Sequence, residues 1–384
     1  MLEQRGDAPV TRMKRRPPPR RRPAAVTPIE LVADRVARVK RRSPRRKPPG
    51  PVVRIAVVTP VLDDWACFAS LVGEISAQFT GSSIEFHICA VDDGSVSSFD
   101  PASLSLPRDS CIARVEILRL ALNLGHQRAI AVGLCELSRR DDIDAVLVMD
   151  SDGEDRPGDM AALLKASRIH PSHIVLARRA KRFESLGFRM WYRLYKFVFH
   201  GLTGHDISFG NYSLLPIAAV RRLVHMPELW NNLAASILRS RMKCTPVATV
   251  RGRRYDGRSR MRLVSLIVHG LSAMSVHTDT IFVRVLLASG VIAAASVLGI
   301  LAIAIVRFST DLAIPGWATT AAGDLMIILL QTIVMVVAAS LMMLAGRSSR
   351  PIIPIADAGQ FVAEQECYGP EAILREAAPV RAKA

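Results

Sequence analysis

The chain has 384 residues, half of them hydrophobic, and a formal net charge of +17. That is long enough for a large core and two or three structural units, and too apolar for a wholly disordered polymer. Its six cysteines are scattered, with no C-x-x-C pair and no His-rich cluster; this argues against a disulfide framework or a zinc site and fits a reduced compartment.

Charge is unevenly spread. Residues 1–50 hold sixteen Lys and Arg against four acids and carry +12 of the total. Runs such as "KRRPPPRRRP" and "KRRSPRRKPPG" read as a disordered basic Pro-rich tail. Anionic membrane lipids are its expected partner, at about 1 kcal/mol per basic residue near the surface. A solvated tail and a nucleic-acid clamp are the competing readings; no nucleic acid is expected as a partner. The segment has no apolar h-region, so no signal peptide is expected.

From residue 54 to about 180, short apolar runs alternate with helical ones. "RIAVVTPVL" (54–62), "IEFHICAVDDG" (84–94), "VEILRLALN" (115–123), "AVLVMDSD" (145–152) and "HIVLARR" (173–179) have strand length. "WACFASLVGEISAQF", "HQRAIAVGLCELSRR" and "PGDMAALLKASR" between them suit helices. Strands buried on both faces and separated by helices predict an α/β domain with a parallel or mixed Rossmann-like sheet. Ligands bind such sheets outside the carboxyl ends of the strands, where "VDDGS" and "MDSDGED" fall.

The second of these acidic segments packs five carboxylates into ten positions: Asp150, Asp152, Glu154, Asp155 and Asp159. Asp150 and Asp152 point the same way from an extended segment and suit a hard divalent cation, Mg²⁺ or Mn²⁺, whose other ligands are water and substrate phosphate. Asp155 and Asp159 read as decoration of a helix start, with Pro157 in its first turn; Glu154 has no assigned role. His126 opens another helix and either approaches a diphosphate or caps the helix.

Two segments near the C-terminus are long enough to cross a bilayer: 285–306, without a charge, and 325–345, whose only polar members are Gln331, Thr332 and Ser340. Arginines flank the pair outside, and the connector carries only Arg307. The positive-inside rule therefore puts both termini and the α/β domain on the cytoplasmic side of a cytoplasmic (inner) membrane, with two spans. "RRAKRFESLGFRMWYRLYKFVFHGL" (178–202) and "MRLVSLIVHGLSAMSV" (261–276) read as interfacial elements. The predicted domains are a tail at 1–50, a catalytic domain at 51–260, a juxtamembrane amphipathic helix at 261–279, a transmembrane hairpin at 280–346 and a cytosolic tail at 347–384.

Four ordered motifs, "VVTPVLDDW", "AVDDGS", "LNLGHQRAIAVGL" and "VMDSDGEDRP", closely resemble the family-two glycosyltransferases with the A-type fold. Within them the chain is similar to the polyprenyl-phosphate glycosyltransferases, the group that contains dolichol-phosphate mannose synthase. "FGNYSLLP" (209–216) resembles the family's G-D-F-R-L segment, with Asn211 in place of Asp. "VRGRRYDGRSRM" (250–261) resembles its R-x-x-R-x-x-G-x-S-K signature through Arg251, Arg254, Gly257 and Ser259, with Arg260 in place of Lys. Read from the residues alone, this Arg-rich loop suits a lipid phosphate, which Arg holds bidentately.

The resemblance implies that Pro60, Asp64, Asp92 and Asp93 hold the nucleoside of a nucleotide-sugar donor, assisted by Asp150. Asp152, with Asp150, would hold the metal on the diphosphate. Arg251, Arg254, Ser259 and Arg260 would hold the phosphate of a polyprenyl-phosphate acceptor, and Asp152, Arg251 and Arg254 are the expected catalytic residues. An ionised lipid phosphate needs no strong general base, and neither Asp206 nor Glu228 is marked as one by its spacing. The implied activity is inverting sugar transfer to the lipid on the cytosolic leaflet, and a homo-oligomer is a possible assembly. Transfer to another lipid or polysaccharide, or a catalytically weak membrane scaffold, are the alternatives.

Overall fold

The structure is a computed structural model and describes residues 54–104, 106–179, 193, 197–204, 209–256, 270–310, 316–348 and 350–369. Ser259, Arg260, Asp206 and most of the two segments read as interfacial lie outside them, as do residues 1–50.

The first five predicted runs form strands, β1 (Arg54–Val61), β2 (Glu85–Asp92), β3 (Ile112–Leu120), β4 (Ala145–Val148) and β5 (Ile174–Arg179). The predicted helices between them are α1 (Trp65–Phe79), α2 (His126–Ser138) and α3 (Pro157–Ile169). Alternate residues of β1 serve two cores. Ile55 and Val57 pack under α1 and α3, and Ala56 and Val58 under α2. Burial on both faces is why the run carries no polar alternation.

Three further strands complete the sheet: β6 (Ser213–Pro216), β7 (Cys244–Thr249) and β8 (Val362–Tyr368). The order is β7-β5-β6-β4-β1-β2-β3-β8, with β6 and β8 antiparallel to their neighbours. The sheet is therefore mixed. β6 has only four residues and inserts between β4 and β5, a position that strand-length runs do not reveal. β7 contains Pro246, which an edge strand tolerates. Between β6 and β7 lie α4 (Ile217–Leu223) and α5 (Leu233–Arg239), which cover the α2 face.

The segments 285–306 and 325–345 lie inside two helices of 32 residues each, α6 (Thr278–Ser309) and α7 (Trp317–Ser348). Each is about 48 Å long and long and apolar enough to cross a membrane. Almost none of their apolar surface is covered by the rest of the chain: 11% of the most apolar window of α6 and none of that of α7 is buried. At the base of the pair, Asp279 meets Arg239 at 3.6 Å and Arg347 at 3.5 Å.

The segment read as a C-terminal tail does not simply trail away. After α7 a short helix, α8 (Pro354–Asp357), packs beside Val224, and β8 then pairs with β3. The strand is mostly exposed and carries Glu364, Gln365 and Glu366, so its sequence lacks the apolar signal of an inner strand. The apolar hairpin thus leaves the sheet after one edge strand, β7, and the chain returns to form the other, β8, about 34 Å away at the usual strand spacing.

Candidate active site

β4 ends at Val148, and the next residues turn out of the sheet at its carboxyl edge. Asp155, read from sequence as helix decoration, is buried and its carboxylate accepts the Asp150 N–H at 3.1 Å. Glu154 N–H donates to Asp152 Oδ1 at 2.9 Å, and Gly153 closes the turn at φ +86, a backbone conformation open to glycine. Ser151 Oγ donates to the carbonyl of Pro60, which ties the turn to the end of β1. The result is a rigid mount for Asp150 and Asp152, whose side chains remain 30% and 17% exposed.

The Arg-rich loop lies directly on this mount. Gly252 N–H donates to the Glu154 carbonyl at 2.8 Å and Tyr255 N–H to that of Asp152 at 3.0 Å. Asp159, also read as decoration, accepts the Val250 N–H. A Cβ at position 252 would sit 2.0 Å from the Gly153 carbonyl oxygen, so the two backbones approach this closely only because Gly252 has none. Arg251 pairs with Glu154 at 2.5 Å, which gives that acid a partner. Arg254 reaches Asp152 at 3.3 Å and Asp64 at 4.0 Å. The basic loop and the acidic segment, which sequence reading set apart, are therefore one cluster: half-buried carboxylates draw in the nearest cations.

A second basic group approaches from α2. His126 Nε2 lies 3.2 Å from Asp150 Oδ1. Asn211 bridges to it, 3.0 Å from His126 Nε2 and accepting from Gln127 Nε2 at 3.1 Å. Gln127 in turn accepts the Leu233 N–H. Asn211 is thus a polar link between β6 and the start of α2.

Asp92 and Asp93 end β2 and are both buried. Asp92 accepts the Ser95 N–H at 2.8 Å and Arg119 Nε at 3.3 Å. Asp93 accepts the N–H groups of Leu124 and Gly125, fixing the loop before α2. Both hold loops that border the site. Asp63 does similar work: in a left-handed conformation at φ 51, it accepts the Val96 N–H while its own N–H donates to Ser95 Oγ. Sequence reading passed over Asp63 and Arg119. The tolerance of Asp for the left-handed region is the one available signal for the former.

The electrostatics are unbalanced toward negative charge. Burial raises the Asp152 pKa above the ordinary 3.8, and the nearby Asp150 raises it further; the Glu154 N–H and Arg254 oppose this without cancelling it. Burial likewise raises Asp93, against the pull of the Leu124 and Gly125 N–H groups. For His126, desolvation favours the neutral ring, but Asp150, Asp155 and Asp93 together raise its pKa above 6.5.

Two carboxylates on one turn, one with a raised pKa, facing His126 and Arg254 at 3.2–3.3 Å, fit a hard divalent ion. Among the described residues no group of three or more His, Cys, Asp or Glu is arranged for a metal. An ion here would take its remaining ligands from water and phosphate oxygens. Glu228 does not join the site; it pairs with Arg239 at 2.9 Å, near the base of the helical hairpin.

Residues 56–222 match the family model described as Glycosyl transferase family 2. Over that stretch, which holds most of β1 and all of β2 to β6, the chain is similar to this family, and the sheet there is a mixed α/β sheet. Among solved structures it is similar to mannosyl-3-phosphoglycerate synthase from Rubrobacter xylanophilus, at 13% identity, covering 58% of this chain and 72% of that one, TM-score 0.40. Glucosyl-3-phosphoglycerate synthase from Mycobacterium tuberculosis, solved with Mn²⁺ and UDP-glucose, is 14% identical over 60% of this chain and 79% of that one, TM-score 0.40. The same enzyme with phosphoglyceric acid gives 14% identity over 60% and 80%, TM-score 0.41. No curated protein matches the chain.

Proposed function

We propose that the protein transfers a sugar, with inversion, from a nucleotide-diphosphate donor to polyprenyl phosphate on the cytosolic leaflet of the cytoplasmic membrane. The observation that carries this reading is the juxtaposition of Asp150 and Asp152 with His126 and Arg254 outside the carboxyl end of β4. Carboxylates and basic side chains held this way suit a diphosphate together with a divalent ion. Asp150 and Asp152 would hold Mg²⁺ or Mn²⁺, which when bound neutralises charge on the departing diphosphate.

The chain's own residues do the rest by position. Pro60 and the half-buried Asp64 border the nucleoside side of the cleft, and Asp92 and Asp93 shape it through the loops they hold. Arg251 and Arg254 exchange their carboxylate partners for phosphate oxygens, joined by Ser259 and Arg260 further along the same segment. A lipid phosphate is already ionised near neutral pH, so catalysis reduces to alignment and charge stabilisation. Glu228, one of the two acids considered as a base, is engaged with Arg239.

The acceptor assignment is supported by the apolar hairpin. Its two ends attach to opposite edges of one sheet, which suits two crossings with the catalytic domain on a single side. The flanking arginines make that side cytoplasmic. The basic tail would add attraction for anionic lipids.

The test is a panel of labelled nucleotide sugars offered to membranes containing the enzyme, with the lipid product read by mass. One lipid-linked sugar is expected, and transfer by Asp152→Asn should fall by at least about 100-fold. Full activity of that variant in EDTA would remove the metal assignment. 3-Phosphoglycerate, the acceptor named for the similar structures, belongs in the same panel; its glycosylation in place of the lipid would overturn the acceptor.

A further inference from the structure

The strand that follows the membrane hairpin reaches the donor side of the sheet by two separate routes. The first is a row of directly opposed residues across three neighbouring strands: Asp92 on β2, Arg119 on β3 and Glu364 on β8. Arg119 Nε donates to Asp92 Oδ2 at 3.3 Å and its Nη1 to Glu364 Oε2 at 3.1 Å. The Asp92 side chain is wholly buried, and its other oxygen receives the Ser95 N–H. Glu364 therefore fixes the guanidinium that fixes the acid at the start of the 92–99 loop.

The second route is aromatic. Tyr368 lies 5.7 Å from Phe99, edge to face, and Phe99 lies 5.1 Å from Trp65. Trp65 Nε1 donates to the Ser97 carbonyl at 2.9 Å. Glu364 and Tyr368 are four residues apart on one strand and project to the same face, so a single docked strand sets both ends of one loop.

We propose that β8 is a positioning element for the donor site, with Glu364 and Tyr368 holding the 92–99 loop in its binding conformation. This rests on the reading that the loop borders the nucleoside. Protection of the β3 edge is the simpler role for such a strand, but that needs only backbone pairing. The two side chains instead extend inward along paths that end at Asp92 and Ser97. The consequence is a physical link between the membrane hairpin, which delivers β8, and the grip on the donor.

The experiment uses the full chain in detergent, with amide exchange over residues 93–99 and steady-state kinetics measured on the same preparations. In Glu364→Ala/Tyr368→Ala, exchange in the loop should rise about tenfold while β1 and β4 keep their protection. The donor KM should rise about five- to tenfold, with kcat and acceptor KM within about twofold. Tyr368→Phe keeps the ring contact and should match the wild type in both readouts. Unchanged loop exchange together with unchanged donor KM would overturn the proposal. Faster loop exchange in a chain whose wild type uses no nucleotide sugar would overturn the donor reading alone and support the strand-to-loop coupling.

Discussion

The sheet carries one charge cluster in its amino-terminal half and another at its carboxyl edge, and the two are built to different standards. In the amino-terminal half, Glu116 is buried and accepts from Arg140, Arg114 and Gln365. His87, also buried, is held between Arg140 at 2.8 Å and Glu85 at 2.7 Å, and Arg140 closes on Asp142. At the carboxyl edge, Asp150 and Asp152 meet His126 and Arg254 at 3.2–3.3 Å, Arg254 is stretched to 4.0 Å from Asp64, and the Asp152 pKa stays raised. A charge cluster whose buried carboxylate is met by three donors holds the fold together. One that leaves a surplus of negative charge within reach of solvent is suited to receive a ligand.

The widest separation between the two should come from deleting one acid of each. Glu116→Ala leaves Arg140 and Arg114 facing an apolar gap, and breaking a buried pair of this kind costs about 3 kcal/mol. Unfolding in detergent should show that loss, while the protein that remains folded keeps its KM for the proposed donor. Asp152→Asn should do the reverse: activity collapses, and stability is unchanged or slightly higher because a repulsion with Asp150 is gone. Equal stability losses in the two variants would erase the distinction between the clusters.

A smaller effect is expected at Arg254, the residue that bridges Asp64 and Asp152. Its side chain is 23% exposed and its pairs are long, so Arg254→Ala should change stability by less than about 1 kcal/mol. Use of the acceptor should fall about tenfold or more, and by more than use of the donor. Unchanged acceptor KM and kcat would confine Arg254 to screening Asp152.

Much of this fold was legible because buried parallel strands announce themselves as continuous apolar runs. β1 to β5 and the first three helices follow the predicted segments closely. β6 and β8 were not legible. The one is four residues long, and the other is an exposed edge strand whose acids face Arg119 and solvent. The site was half legible. Asp150 and Asp152 stood out by spacing, but hydrophobic pattern says nothing about a loop more than ninety residues away folding onto them. The pairing of Arg251 with Glu154 and of Arg254 with Asp152 depends on Gly153 and Gly252 letting two backbones touch, a tertiary condition that neither segment displays alone. Asp155 was misread for the same reason, since its partner is the Asp150 N–H and backbone groups are supplied by any sequence; Asp159 does stand in the first turn of α3, as read, and gains the Val250 N–H as a further partner.

Acid should drive the two clusters apart in sign, and this is the subtlest expected effect. His126, Asp152 and Asp93 all have raised pKa values at the carboxyl edge. Groups of this kind contribute stability that is present below their unfolded values, 6.5 for His and 3.8 for Asp, and lost as pH rises through the folded ones. Asp142 behaves oppositely: its hydrogen bond to Arg140 lowers its pKa to about 2. Its contribution is present above 3.8 and lost as pH falls toward 2. Because its side chain is 48% exposed, solvent screening keeps that contribution below about 1 kcal/mol. Metal-free, donor-free protein in EDTA should therefore gain stability as pH falls from 7 toward 4 and lose it below. Asp152→Asn should flatten the gain and leave the loss, and Asp142→Asn should blunt the loss and leave the gain. If one substitution altered both limbs equally, the two clusters would be titrating as a single unit, and the contrast between a closed network and an open one would fail.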